Sequence, residues 1–192
     1  VSPGRVAGLL LAAGGGSRYG GPKALIVLGG QLLADRGVTV LREGGCVPVA
    51  VVLGAGAPGV IRQAESLTST LIVMNPDWRT GIGSSLRAGL TALAATEAAA
   101  VAVVLADMPW VTPAAVCRVI GGADAASLAA ATYDGQRDHP VLLGRDHWPG
   151  VAALALGDTG ARPYLEAHAD QVRLVPCEDI ASPRDLDTPA QD

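Results

Sequence analysis

"LLAAGGGSRYGGPKALIVLGG", residues 10–30, runs from an apolar stretch into a loop holding Arg18 and Lys23 and then turns apolar again, with seven glycines along the way. The apolar start reads as a buried strand. Glycine after a strand permits positive φ and lets backbone N–H groups approach an anion with no Cβ in the way, which is the chemistry of a phosphate cradle. Spacing excludes two familiar versions. A dinucleotide fingerprint needs GxGxxG opening into a helix, but counted from Gly14 the sixth residue is Tyr19, and counted from Gly16 the third is Arg18. A Walker A loop fits from Gly16 to Gly21 until Pro22 displaces the lysine and Ala24 stands where a magnesium-binding hydroxyl belongs. What remains is a glycine loop with two cations at fixed offsets, the second stiffened by Pro22, which sets its own φ and biases Gly21 towards an extended conformation.

Outward from this loop, apolar runs of strand length alternate with segments of helical pattern, the signature of βαβ units and a mostly parallel sheet. The strands are read at "RVAGLLLAA", "VPVAVVLG", "TLIVMN", "AVAVVLA", "SLAAATY", "HPVLLG" and "VRLVPC". Helical segments are read at Gln31 to Glu43, Ala57 to Ser66, Gly83 to Thr96, Thr112 to Ile120, and Arg145 to His168 with a break near Gly157. The early strands have apolar flanks and are expected to be central and covered on both faces. The fold class expected is α/β, a Rossmann-like three-layer α/β/α sandwich around a mostly parallel central sheet. A chain of 192 residues suits one domain over 1–192, with a substrate-side subregion at about 134–169, where the strict alternation breaks. Ligands of such sheets bind beyond the carboxyl ends of the strands. Four segments should therefore meet at one rim: Gly14 to Lys23, Asn75 to Arg79, Asp107 to Pro109 and Asp185 to Asp187.

Composition narrows the partners. Lys and Arg together number 14 against 18 Asp and Glu, a net charge of -4 with no basic block, which excludes nucleic acid as the expected partner. No stretch reaches the roughly 20 uninterrupted apolar residues of a membrane span. The run from Val6 to Ala13 leads into a glycine-cation loop rather than a cleavage site, so it reads as a first strand of a cytoplasmic protein, not as a signal peptide. Cys46, Cys117 and Cys177 show neither CxxC nor metal-ligand spacing and read as buried thiols in a reducing compartment.

Four further segments carry chemistry. "VVLADMPWVTP" sets Asp107 at the end of an apolar strand, where a carboxylate can hold Mg²⁺ through oxygen; Thr112 and Pro113 already supply the start of the next helix, so Asp107 is not needed as its cap. An unpaired carboxylate at such a site is costly, and Asp107→Asn is expected to raise metal-free thermal stability. "NPDWRTGIGSSLRAGLTAL" brings Asn75, Ser84, Ser85, Arg87 and Gly89 to a helix start, where N–H groups and hydroxyls can meet a base or ribose. "TYDGQRDHPVLLG" and "LGDTGARPYL" supply His139 and Arg162, and the latter can pair with a phosphate.

Taken together these motifs resemble the MobA-like nucleotidyltransferase superfamily, whose fold is of the nucleotide-diphospho-sugar transferase type, and within it the molybdenum cofactor cytidylyltransferase branch. The loop is similar to LAAGxGxRMGxPKxL, with Tyr19 in place of the usual Met. The later segments resemble GDxP, with Ala106 for the glycine; NPxWxxGxxxSLRAGL; YxGxxGHPVL, with Asp138 for the glycine before His139; GDxGAR; and a DIDTPED terminus. The matches span residues 9 to 189.

The resemblance implies a nucleotidyltransferase that moves a nucleoside monophosphate from an NTP to a phosphorylated acceptor, molybdenum cofactor first, and releases pyrophosphate. It implies catalytic roles for Arg18, Lys23 and Asp107. Nucleotide contacts fall on Leu11, Ala12, Ala13, Gly14, Gly15, Gly16, Ser17, Arg18, Lys23, Asn75, Ser84, Ser85 and Gly89, and acceptor contacts on His139 and Arg162. The Mg²⁺ or Mn²⁺ cofactor falls to Asp107 and Asp187, with Asp185 as the rival of the latter. Ala13, where the guanylyl branch resembles LAGG, narrows the base slot and favours CTP over GTP. A molybdopterin-type acceptor and a molybdoenzyme are the implied partners. The alternatives are a guanylyl or cytidylyl transferase for another phosphorylated precursor or sugar, and a non-catalytic cofactor-delivery or nucleotide-binding chaperone. Some relatives carry an oxidoreductase label, but no dinucleotide fingerprint supports hydride transfer.

Overall fold

The computed structural model describes residues 4–16 and 19–186. Strand β1 (Val6–Ala12) leads, through the glycine loop, to a two-stranded hairpin of β2 (Val27–Leu28) and β3 (Gln31–Leu32). Helix α1 (Leu33–Glu43), β4 (Val49–Leu53), α2 (Ala57–Gln63), β5 (Leu71–Met74), α3 (Ile82–Leu93), β6 (Ala100–Leu105) and α4 (Pro113–Ile120) then alternate. The chain continues through β7 (Leu128–Tyr133), β8 (Gln136–Gly144), α5 (Trp148–Leu154), α6 (Arg162–Ala167) and β9 (Val172–Pro176).

The seven-stranded sheet has the order β5-β4-β1-β6-β8-β7-β9. Every neighbouring pair is parallel except the two made by β8, which runs against β6 and β7. β1 lies between β4 and β6, so the carboxyl ends of all three open on one edge.

Two cores cover the sheet. One face packs against α1, α2 and α4 through Val38, Leu41, Val60, Val116 and Val119. The other packs against α3, α5 and α6 through Leu86, Leu90, Val151 and Leu165. This is the three-layer α/β/α sandwich with a mostly parallel sheet that the alternation predicts. The central strands β1 and β4 are buried throughout. β5 differs: it forms one edge of the sheet and exposes Leu71, Ile72 and Met74. Its apolar sequence pattern is that of a covered strand, but no further strand continues the sheet beyond it among the described residues.

Two more expectations change in detail. Helix α1 begins at Leu33 rather than Gln31, because Gly29 and Gly30 adopt positive φ (58° and 82°) and turn the chain into the hairpin. Segment 134–169 supplies β8 to the sheet and α5 and α6 to the same layer as α3. Cys46 and Cys177 are buried as expected, whereas Cys117, on the outer face of α4, is exposed. No helix among the described residues is long and apolar enough to cross a membrane.

Small residues set the distance between helices and sheet. A Cβ on Gly37 of α1 would fall 2.5 Å from a terminal carbon of Leu10, and one on Gly89 of α3 would fall 2.5 Å from Leu9. Leu9 and Leu10 are themselves wholly buried, so neither has free space to retreat into. Gly89→Val adds bulk at this contact and a β-branch inside a helix, and overpacking of this kind costs about 1–3 kcal/mol. Thermal melts should show Tm lowered by about 2–4 °C for each kcal/mol in a chain of this size.

Candidate functional site

Gly16 shapes the loop after β1. Its φ is 57°, its carbonyl accepts from the backbone N–H groups of Tyr19 and Gly20 at 3.0 and 2.9 Å, and a Cβ would stand 2.0 Å from the Gly21 carbonyl. Only glycine fits there. The turn delivers Lys23, in a short helical turn after Pro22, back towards the sheet. Its Nζ lies 2.8 Å from Oδ2 of Asp107, just past the end of β6, with both side chains partly buried. The Asp107 carbonyl accepts from the Leu186 N–H at 2.8 Å, bringing the C-terminal segment, with Asp185, to the same edge. Thr112, not Asp107, caps α4, accepting from Ala115 N–H at 3.2 Å.

A cavity of about 310 Å³ lies over this edge. Leu11, Ala12, Ala13, Gly14, Gly15 and Lys23 line it from β1 and the glycine loop, Ala106 and Asp107 from beyond the end of β6, and Trp78, Arg79, Ser85 and Asp158 also belong to its lining. Gly15 lies where a Cβ would meet the Trp78 ring at 2.9 Å, so the glycine also lets the loop rest on the indole. The Arg79 guanidinium covers that ring at 4.4 Å.

Asn75, Ser84 and Gly89 take different places from those expected. The Asn75 side chain is buried and donates to the hydroxyls of Ser84 and Ser85 at 2.9 and 3.0 Å, while Ser84 donates to the Gly81 carbonyl at 2.8 Å. Asn75 and Ser84 thereby fasten the start of α3 to the end of β5 and do not line the cavity; Gly89 lies beneath α3 against Leu9. Trp78, Arg79 and Asp158 reach the cavity although sequence reasoning did not single them out as site residues. Their signal was the aromatic and the cation inside "NPDWRTG" and the acidic residue of "GDTGAR". Ser17, Arg18 and Asp187 lie outside the described residues.

A second cavity, of about 530 Å³, adjoins the first and shares Leu11, Ile82, Leu105 and Asp158 with it. Its floor is apolar. Its rim carries Arg137, Asp138, His139, Arg162 and Glu166, so the structure brings His139 and Arg162 together. The loop that bears Asp158 is clamped to α3: Gly83 N–H donates to the Gly157 carbonyl at 2.9 Å, and Arg87 donates to the Ala155 carbonyl.

Electrostatics differ between the two sites. Burial pushes the Asp138 carboxyl up, but hydrogen bonds from the ring and backbone N–H of His139, aided by the charges of His139 and Arg162, outweigh it and hold the group below its ordinary range. At the first site Lys23 already compensates Asp107. Among the described residues no group of three His, Cys, Asp or Glu side chains gathers around a point. A single hard carboxylate still fits Mg²⁺ or Mn²⁺, because such ions are usually held by one or two carboxylates together with substrate phosphates.

Residues 8–172 match the family model described as MobA-like NTP transferase domain. The nicotine blue oxidoreductase of Paenarthrobacter nicotinovorans is 36% identical over 97% of this chain and 94% of its own length. A probable molybdenum cofactor guanylyltransferase of Opitutus terrae is 36% identical over 57% of this chain and 51% of its own. Among solved structures, the manganese complex of Rv0371c from Mycobacterium tuberculosis superposes with a TM-score of 0.74 at 27% identity, covering 90% of this chain and 88% of that one.

Two outcomes follow. The Lys23 partner reverses the stability expectation for Asp107→Asn: the variant weakens an ion pair instead of relieving a lone charge. Both groups are partly solvated, so the loss is small, about 0–1 kcal/mol, and metal-free melts should show Tm unchanged or slightly lowered, never raised. Asp138, depressed in the folded state, stabilises above its unfolded value of about 3.9 and loses that contribution as pH falls through the folded value. Asp138→Asn should therefore be less stable than wild type at neutral pH and converge with it below about pH 4, as read by urea midpoints across pH.

Proposed function

The chain belongs to the MobA-like NTP transferase domain family, and from that premise we propose that it transfers a nucleoside monophosphate, from CTP in preference to GTP, to a phosphorylated acceptor of molybdopterin type. The observation that carries this reading is the pair of adjoining cavities, with Lys23 and Asp107 in the lining of the smaller one and His139 and Arg162 in the lining of the larger. The triphosphate occupies the smaller, the acceptor the larger, and they meet over the shared residues Leu11 and Leu105.

In this reading an oxygen of the acceptor phosphate attacks the α-phosphorus, the bond between that phosphorus and the bridging oxygen breaks, and pyrophosphate leaves. No covalent enzyme intermediate is required, so positioning and charge stabilisation carry the rate. Gly14 and Gly15 let the loop backbone approach the phosphates, and Lys23 faces the charge that builds at the α-phosphate. Asp107 would hold Mg²⁺ or Mn²⁺, which would supply charge neutralisation. Arg162 orients the acceptor phosphate by charge-assisted hydrogen bonds. The buried Ala13 methyl lines the nucleotide cavity and narrows it towards a pyrimidine.

The name of the Paenarthrobacter nicotinovorans relative favours a second reading, reduction of a planar substrate in the larger cavity with a hydride donor in the smaller. Against it stands the absence of a GxGxxG frame in the loop. Incubation with CTP or GTP, Mg²⁺ and molybdopterin, read as pyrophosphate release, tests the first reading; loss of nicotinamide absorbance with no nucleotide transferred would replace it by the second. Release with other phosphorylated acceptors but not with molybdopterin would keep the chemistry and change the substrate. Lys23→Ala should fold and lose on the order of 10²–10³ in turnover, the usual cost of an electrostatic contact made in the transition state.

A further inference from the structure

The larger cavity contains a device that phosphate binding does not use. β7 and β8 pair as Ala130 with Val141 and then as Ala131 with Asp138, which leaves His139 and Pro140 out of the ladder. Such a bulge re-aims the side chain it carries. The Tyr133 hydroxyl secures it by donating to the His139 carbonyl at 2.9 Å. Oδ1 of Asp138 accepts from the His139 backbone N–H at 2.7 Å and lies 3.1 Å from its ring Nδ1. With Nδ1–H spent on the carboxylate, the ring in its neutral form offers Nε2 as an acceptor. Neither Nε2 of His139 nor Oδ2 of Asp138 has a hydrogen-bond partner among the described residues.

Beneath this rim the floor is even. Val103 pairs with Val141 and Val141 with Ala130, so the three line up across adjacent strands on one face of the sheet, and all three line the cavity. Short side chains in a cross-strand row present a shallow surface on which a flat ring rests with one face dehydrated.

We propose that Asp138 makes this cavity selective for a planar nitrogen heterocycle with a donor edge, an N–H beside an exocyclic amino group, read jointly by the free oxygen of Asp138 and by Nε2 of His139. Asp138 acts in two ways, as a direct acceptor and as the positioning residue that fixes the tautomer and direction of His139. The inference rests on the reading of this cavity as the acceptor site. Where the resembling family pattern has glycine, the carboxylate of this chain adds a charged acceptor and removes the freedom of the imidazole to turn. A ring that offers a carbonyl in place of the amino group keeps one donor but sets the carbonyl against the second acceptor, which is left unpaired, and that is the stronger form of discrimination.

The test is calorimetric titration of the whole chain with pterin and with lumazine, in which a carbonyl replaces the amino group, for wild type, Asp138→Gly and Asp138→Asn. Wild type should prefer pterin by about tenfold or more, the scale of a hydrogen bond to a charged group. Asp138→Gly should bring the ratio near one, and Asp138→Asn should fall between them. Ring ¹⁵N shifts of His139 should report protonated Nδ1 in wild type and a mixed tautomer in Asp138→Gly, a change that a purely structural residue would not produce. Equal affinities in wild type, no binding of either compound, or an unchanged ratio in Asp138→Gly overturns the proposal. CTP titration and pyrophosphate release, measured in parallel, separate the two readings: their failure with the pterin preference intact sinks nucleotidyl transfer and leaves the ring selectivity standing.

Discussion

Strand β1 has no solvent on either face and no free edge, and that constraint organises the molecule. Each of its backbone polar groups must find a partner inside the protein, and β4 and β6 supply them on opposite sides, both parallel to it. Parallel neighbours need crossovers, which place α1 and α3 on opposite faces. The helices come close because Gly37 and Gly89 leave room for Leu10 and Leu9. All the loops that leave the carboxyl ends of these strands then gather on one rim, and the polar chemistry of the chain collects where the apolar strands stop.

The Lys23–Asp107 contact shows how such a rim is kept ready. A carboxylate at the end of a buried strand and an ammonium at the end of a glycine loop would each be costly alone, and together they hold the loop over the cavity. In the proposed reaction a triphosphate at Lys23 and a cation at Asp107 would each bring a new partner of the sign that the residue already faces, so the electrostatic environment would be exchanged rather than rebuilt. Arrangements of this kind lower the reorganisation needed during reaction.

Strand and helix periodicity and the punctuation by glycine and proline made the order of elements readable, along with the position of the loop, Lys23 and Asp107. Features that depend on distance between elements were not readable. Gly89 sits in a motif rich in polar residues, yet its absent side chain serves the contact with Leu9. The hydrogen bond from Asn75 to Ser84 is equally invisible in one dimension, since a buried amide finds partners wherever the folded chain provides them. β5 has the composition of an interior strand and lies at an edge, because sequence pattern reports burial on faces but not which strand comes last. The short hairpin at Gly29 and Gly30 is local turn chemistry whose two-residue strands are too brief to show a period.

The three thiols divide sharply in accessibility. Cys46 is buried among apolar groups, and that burial, with the neighbouring Cys117 sulfur adding to it, pushes its thiol up to about 12; Cys177 is likewise buried and raised. A thiol kept protonated and covered is a poor nucleophile, whereas Cys117 faces solvent from α4, in the helix layer opposite the one formed by α3, α5 and α6. The chain therefore carries its own attachment point for a maleimide dye in the helix layer away from the larger cavity, and a single label can be placed there without the removal of any native cysteine.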